Sequence, residues 1–304
     1  MSTPTLEIPD FFPTQFGTSW EHLLQQENSR LRETVSMDSD IRGKEKSYNQ
    51  KGLSTMRKIT TRNGKTIASE TDDEKRWIRT EAYDEVTHFD EWDQDLLGEI
   101  ALPTSETVQA HAMAAGRTMD QVVIDAASGT AYTGETGVTA TSFLAANQVS
   151  VSLSGSSEGL TLGKLIAAKS ILGINEAYGQ DGNKNDELVL IVSQKQLDDL
   201  LTVTEVTNSD YAAVKALASG EIDNFMGFRF KRTELLTLNS STDVRTCLAY
   251  VKSGIKLGVT TDRSVKTVIR DDLNETLQIR TKIRLGATRM MEEKVVEIAC
   301  DESP

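Results

Sequence analysis

Cysteine, histidine and aromatic residues are scarce in this chain: two Cys, three His and 6% Phe, Trp and Tyr in 304 residues. Cys247 and Cys300 are too few for a disulfide framework or a thiolate zinc site, so two reduced thiols are expected. No apolar run approaches the ~20 residues of a membrane span. The opening Met1-Ser2-Thr3-Pro4 lacks the basic and apolar regions of a signal peptide, and the reading is a soluble protein made in a cytoplasm, without a membrane partner. Basic charge is also in deficit. A net charge of −13 argues against a protein that clamps nucleic acid through its phosphates. A hydrophobic content of 38% is low for a compact enzyme and fits a molecule with much extended surface, part of it covered by partners.

Catalytic constellations fail on necessary residues. Gly129 to Gly134 has the glycine spacing of a phosphate loop, but Glu135 stands at the lysine position and would repel phosphates. Asp181 to Asp186 begins like a calcium loop. Asp186 replaces its turn glycine, and Val192 its bidentate glutamate. His22, His88 and His111 lie on three unrelated elements, with no Gly-x-Ser-x-Gly elbow beside them, and His111 reads as a partly exposed helical residue. Asn239-Ser240-Ser241 and Asn274-Glu275-Thr276 are sequons that mean nothing without a secretory signal. The expectation is a non-enzyme with no cofactor and no metal.

What the chain does have is segregated charge. Residues 46–69 hold six Lys or Arg and no acid, whereas residues 81–100 hold eight Asp or Glu and no Lys or Arg. The basic segment reads as a hairpin, because Ile59-Thr60-Thr61-Arg62 and Lys65-Thr66-Ile67-Ala68 flank Asn63-Gly64, a favoured two-residue turn. Strands of a dozen residues would make a limb of ~40 Å at about 3.3 Å per residue. A lone hairpin nearly bare of large apolar side chains is marginal in water, so this one is expected to order only against something else. An oppositely charged copy of the same chain is the economical candidate, whereas a cation site in the acidic stretch is the rarer outcome for such runs.

Around the limb the reading is α+β. Residues 1–17 form a proline-broken arm carrying Phe11 and Phe12. Thr18-Ser19-Trp20-Glu21 fits a capping box, starting a helix with a narrow stripe through Trp20, Leu23, Leu24, Leu31 and Val35 that lies on a surface and not in a core. Lys75–Arg79 and Tyr83–Phe89 look like strands. Residues 104–128 form the best helix, with a seam of Val108, Ala112, Ala115, Met119, Val122 and Ala126, Pro103 at its entry and Gly129 at its end. From 161 a mixed pattern follows: helices at 162–173, from Ser193 through Leu201 and at Tyr211–Ala218, and strands at Glu187–Val192, Phe225–Lys231 and Cys247–Val251. Leu277, Ile279, Thr281, Ile283 and Leu285 alternate with Gln278, Arg280, Lys282 and Arg284 in a strand buried on one face, and Val295–Cys300 closes the chain.

The ordered set of Pro103-Thr104-Ser105, Ala114-Ala115-Gly116-Arg117-Thr118-Met119-Asp120 and Ile124 to Ala131 resembles the long helix of tailed-bacteriophage major capsid proteins. Asp210-Tyr211-Ala212 with Gly220-Glu221-Ile222 and Phe225-Met226-Gly227-Phe228 is similar to that family's apical segment, and Gly286 to Glu293 with Val295 to Ile298 to its closing strands. The resemblance implies the Hong Kong 97-type fold. Residues 1–45 would be the N-terminal arm with its helix, 46–80 the extended β-hairpin loop, and 81–160 the peripheral domain with spine helix 104–128. Residues 161–258 would be the mixed α/β axial domain, and 259–304 the peripheral domain's closing strands.

It further implies a major capsid protein that assembles through pentamers and hexamers into an icosahedral shell enclosing double-stranded DNA without sequence-specific binding. Scaffolding, portal and decoration proteins would be separate partners, and assembly would take place in the bacterial host's cytoplasm. Lys51, Lys58 and Lys65 lie on the loop, but no partner for the crosslink known in one branch of the family is identified, so the uncrosslinked state is expected. Contact candidates between copies are Phe11, Phe12 and Trp20; Arg57, Lys58, Arg62, Asn63, Gly64 and Lys65; and Asp84, Glu85, Asp90, Glu91, Asp93 and Asp95. Competing readings are an encapsulin-like cargo compartment, a mixed α/β hydrolase or nucleotide-binding enzyme, and a tail or adhesin protein.

Overall fold

The computed structural model describes residues 23, 25–62, 64–66, 68, 70–90, 104–179, 187–202, 224–273 and 275–303. Phe11, Phe12, Trp20, Asn63, Glu91, Asp93 and Asp95 lie outside them, as does the expected helix at 211–218. Strand β1 (Ser36–Asp38) is followed by β2 (Glu45–Lys51), β3 (Asp73–Arg79) and β4 (Glu81–Phe89), then by the long helix α1 (Thr104–Ser128). Short strands β5 (Ala131–Thr133), β6 (Thr139–Thr141) and β7 (Gln148–Val149) lead to helix α2 (Leu162–Ile174), strand β8 (Leu188–Val192) and helix α3 (Gln194–Thr202). Among the described residues from 224 on, the strands are β9 (Asn224–Phe225), β10 (Phe228–Arg232), β11 (Leu238–Asn239), β12 (Val244–Val251), β13 (Ile255–Arg270), β14 (Thr276–Arg289) and β15 (Val295–Asp301).

Three sheets organise the described residues. One runs β1-β13-β14-β4, a second β7-β15-β12-β8-β10-β9 with β11 on β12, and a third β2-β3-β5-β6. In the second sheet β8 is buried at every residue, because it pairs in parallel with β10 on one side and antiparallel with β12 on the other. Leu165, Ala168 and Leu172 of α2 join its core, which continues without a break through Ile255 and Leu285 to Met119, Val123 and Ile124 of α1. The closing strand β15 belongs to this second sheet, pairing with β12 over Val295–Asp301. Within 259–304, β13 and β14 stay with α1 and β4, while β15 crosses over into the second sheet.

Of the helix expected from Thr18 through Val35, the described part from residue 25 on is corrected, while 18–22 and 24 lie outside the described residues. Residues 25–31 are not helical, and only a short 3-10 turn, Arg32–Thr34, follows. A tertiary acceptor outcompetes the local capping signal. Asp120, fully buried on α1, takes hydrogen bonds from Gln26 Nε2 at 2.5 Å, Ser29 Oγ at 2.6 Å and the amides of Arg30 at 2.9 Å and Leu31 at 3.1 Å. With its amides facing that carboxylate the segment cannot coil, and Leu31 and Val35 go into the core instead of onto a surface. Thr34 then bonds the Tyr250 hydroxyl of β12 at 2.6 Å, so this stretch ties the long helix to the second sheet.

The buried face of α1 is rotated from the expected seam. Only Met119 is shared; the other buried residues are His111, Asp120, Val123, Ile124 and Ala127. His111 is not partly exposed: at 2% exposure its ring nitrogens meet the hydroxyls of Thr87 at 2.9 Å and Thr281 at 3.2 Å. The strand expected over Phe225–Lys231 is a hairpin. Phe225 pairs with Phe228 around Met226 and Gly227 at φ +54° and +86°, a left-handed pair that glycine makes accessible.

Candidate assembly surfaces

The limb has a firm root. Strands β2 and β3 pair antiparallel from Glu45 with Arg79 to Lys51 with Asp73, and β5 extends this sheet through Arg76 and Trp77. The Asp38 carboxylate receives Lys46 Nζ at 2.6 Å and the Tyr48 hydroxyl, while Lys256 Nζ stands 4.2 Å from the centre of the Tyr48 ring. Burial raises the Asp38 pKa, but hydrogen bonds from Lys46, Tyr48 and the Asp40 amide outweigh it and hold the group at about 2.

Beneath the root lies a buried charge junction. Glu292 accepts Arg76 Nη1 at 2.9 Å and Arg289 Nε at 2.5 Å, and Arg289 Nη1 reaches the carbonyls of Ala127 and Gly129 at 2.8 Å each. One carboxylate and the partial negative charge at the C-terminus of α1 thus hold two guanidinium groups. The limb is fixed to the end of the long helix. Gly286 permits the close passage: a Cβ there would stand 1.9 Å from the Arg79 carbonyl oxygen.

Among the described residues the pairing stops beyond Lys51, shorter than the dozen-residue strands expected. Gly64 N meets Thr61 O at 3.4 Å, so the chain reverses one residue earlier than a turn centred on Asn63-Gly64 would place it. Every described residue from 53 to 70 is exposed. The limb is less bare of apolar side chains than its sequence reading had it: Leu53, Met56 and Ile59 are 91%, 104% and 88% exposed. Burying all three would contribute about 5 kcal/mol or more before ordering costs. Arg57, Lys58, Arg62 and Lys65 are exposed there too, and make no ion pair with a described residue.

The acidic candidates divide. Asp84 is engaged within its own chain by Arg280, 2.7 Å away on β14. Glu85 pairs in register with Thr281, on the face that β4 and β14 turn toward α1, and lines a cleft of about 410 Å³ with His111, Ala114 and Thr118. One charged feature was missed entirely: four exposed acids, Glu70 and Asp72 just before β3 and Asp73 and Glu74 at its start. Simple charge counting extended past Ser69 would have found it.

No metal site emerges among the described residues, where no group of three or more His, Cys, Asp or Glu is placed to hold an ion. No helix there is long and apolar enough to cross a membrane. Cys247 and Cys300 are both buried and free, and the neighbouring Cys300 together with burial pushes the Cys247 thiol well above its ordinary range, away from the nucleophilic thiolate.

A limb that leaves the body and bares apolar side chains belongs to a subunit and not to a solitary globule. The family model of the phage capsid protein matches residues 8–302. The chain belongs to the phage capsid protein family. Solved capsids share its fold at low identity. The cyanophage Pam1 capsid aligns over 98% of both chains, at 12% identity and a TM-score of 0.73. The head of Helicobacter pylori bacteriophage KHP40 aligns over 100% of both, at 10% and 0.71. The structure of Mycobacterium phage Che8 aligns over 96% of this chain and 98% of the other, at 14% and 0.69. A search of curated proteins gave no match. This capsid protein therefore has the Hong Kong 97-type fold and its place in the shell of a phage particle.

Proposed function

We propose that this capsid protein is the major subunit of an icosahedral shell, assembling with itself through pentamers and hexamers around double-stranded DNA. The observation that carries the reading is the limb: a rooted hairpin whose outer part exposes Leu53, Met56 and Ile59, none of them covered by a described residue of its own chain. Apolar burial against neighbouring copies supplies affinity, while charge steers encounter and fixes register. The distal cations Arg57, Lys58, Arg62 and Lys65 seek the acidic 81–100 stretch of a neighbour, at its acids other than the engaged Asp84. A net charge of −13 keeps the wall from adhering to packaged DNA. On this reading the protein is not an enzyme, works with separate scaffolding, portal and decoration proteins, and assembles in the host cytoplasm.

Replacing Arg57, Arg62 and Lys65 together by Glu is expected to prevent shell formation while leaving the circular dichroism and melting of the free chain unchanged. Sedimentation and electron microscopy of the purified variant check this, and shells of normal yield and size would refute it.

A further inference from the structure

The outward face of the first sheet carries a ladder of cations. On β14, Ile279, Thr281 and Ile283 are buried, with Thr281 bonded to His111 of α1, so Arg280, Lys282 and Arg284 point the other way. Lys266 of β13 stands directly across from Arg280, on the same face. The acid among them is Asp84, held by Arg280. Arg280, Lys282 and Arg284 also border a cavity of about 260 Å³. In a protein with a net charge of −13 this is a local reversal of sign.

We propose that this ladder receives the acidic edge of the limb, Glu70, Asp72 and Glu74, from a second copy of the chain. This rests on the shell reading and names one of its contacts. The two sets have the same period. Every second residue is acidic on one and basic on the other, a repeat of about 6.7 Å in extended chain. Asp73, which shares the acidic cluster, faces Lys51 across its own hairpin and is left out.

The chain's own limb does not reach its own ladder. Thr80 Oγ1 accepts Arg284 Nε at 3.2 Å, so the inner end of β3 already sits at the ladder's inner end. Glu74 lies opposite Gln50, and Gln50 Nε2 bonds the Met290 carbonyl at 2.6 Å. Met290 is six residues beyond Arg284 on the side away from Arg280, or about 20 Å along a strand. The acids therefore point away from the ladder of their own copy and must find another. A nucleic-acid phosphate fits less well. Val86 pairs with Arg280 and Val268 with Gln278 on this same face, both part-exposed at 37% and 51%, and apolar side chains among the cations suit a protein partner.

Charge exchange tests the contact. Variant E70K/D72K/E74K and variant K266E/K282E avoid Arg280 and Arg284, which have partners in their own chain. Each should raise the protein concentration needed for shells about tenfold, and a chain carrying all five changes should return to within about threefold of the wild type. Circular dichroism confirms that each variant folds, and sedimentation with electron microscopy scores shells. The contact is overturned if the five-fold variant assembles no better than the separate ones, or if both separate variants assemble like the wild type. It is equally overturned if K266E/K282E forms normal shells and loses only affinity for a short DNA duplex. A wild-type chain that forms no shells at all would instead overturn the shell reading itself.

Discussion

Glu292→Gln loosens the limb and lowers stability by about 3–5 kcal/mol, the usual cost of leaving buried charge without its partner. Glu292 is the acid shared by Arg76 and Arg289, which are 4% and 0% exposed. Removing its charge strands two guanidinium groups, one on the limb root and one under the spine helix. Arg76→Met should cost distinctly less, because Arg289 still faces Glu292 and the α1 carbonyls, and a methionine fills much of the vacated space. Chemical denaturation of both variants measures the difference. Equal losses would mean that the junction acts by packing and not by charge. Proteolysis of the Glu292→Gln chain should also cut at the β2 and β3 root, which the intact junction protects.

Asp120→Ala is expected to free the segment 25–35 from the body, at a cost of about 3–5 kcal/mol. Four donors converge on that carboxylate, two of them backbone amides that have no alternative acceptor in the native arrangement. Losing it leaves both amides without that acceptor, the Leu31 amide in a buried place, and pulls Leu31 and Val35 out of the core. Ser29→Ala, which removes one donor and leaves the acceptor intact, should cost about 1 kcal/mol. Rapid amide exchange confined to 25–35 in Asp120→Ala, with the β12 and β15 amides still protected, is the pattern to look for. Loss of protection throughout would show that the segment is part of the global folding unit.

The local periodic elements of this capsid protein were legible in its sequence. The spine helix starts and stops where Pro103 and Gly129 said it would, and the alternation from Leu277 to Leu285 marks a strand with one buried face, as observed. The errors fall where distant residues decide. The 25–35 stretch continues a helical stripe that follows a capping signal at Thr18, yet an aspartate some 90 positions away holds its amides. The spine helix buries Asp120 and His111, polar residues that a hydrophobic template assigns to solvent, so the expected seam was turned from the real one. Strand β13 shows little alternation because most of its outer half, from Asp262 to Ile269, is exposed, and its sixteen residues went unrecognised. The crossing of β15 into the second sheet is a matter of topology, which no local pattern carries. Of the assembly surfaces, the basic limb was visible as a charge run. The cation ladder of β14 was visible only as the polar half of an alternation, and its meaning depends on which face the spine helix covers.

Amide hydrogen exchange across residues 53–66, compared between the free chain and assembled shells, tests the central claim most directly. Among the described residues, and apart from the turn at Gly64, backbone pairing of this stretch stops at the limb root. On the shell reading, exchange is close to that of an unfolded peptide in the free chain, and strong protection appears once neighbouring copies cover the limb. Protection already complete in the solitary chain, or absent in the finished shell, would contradict it.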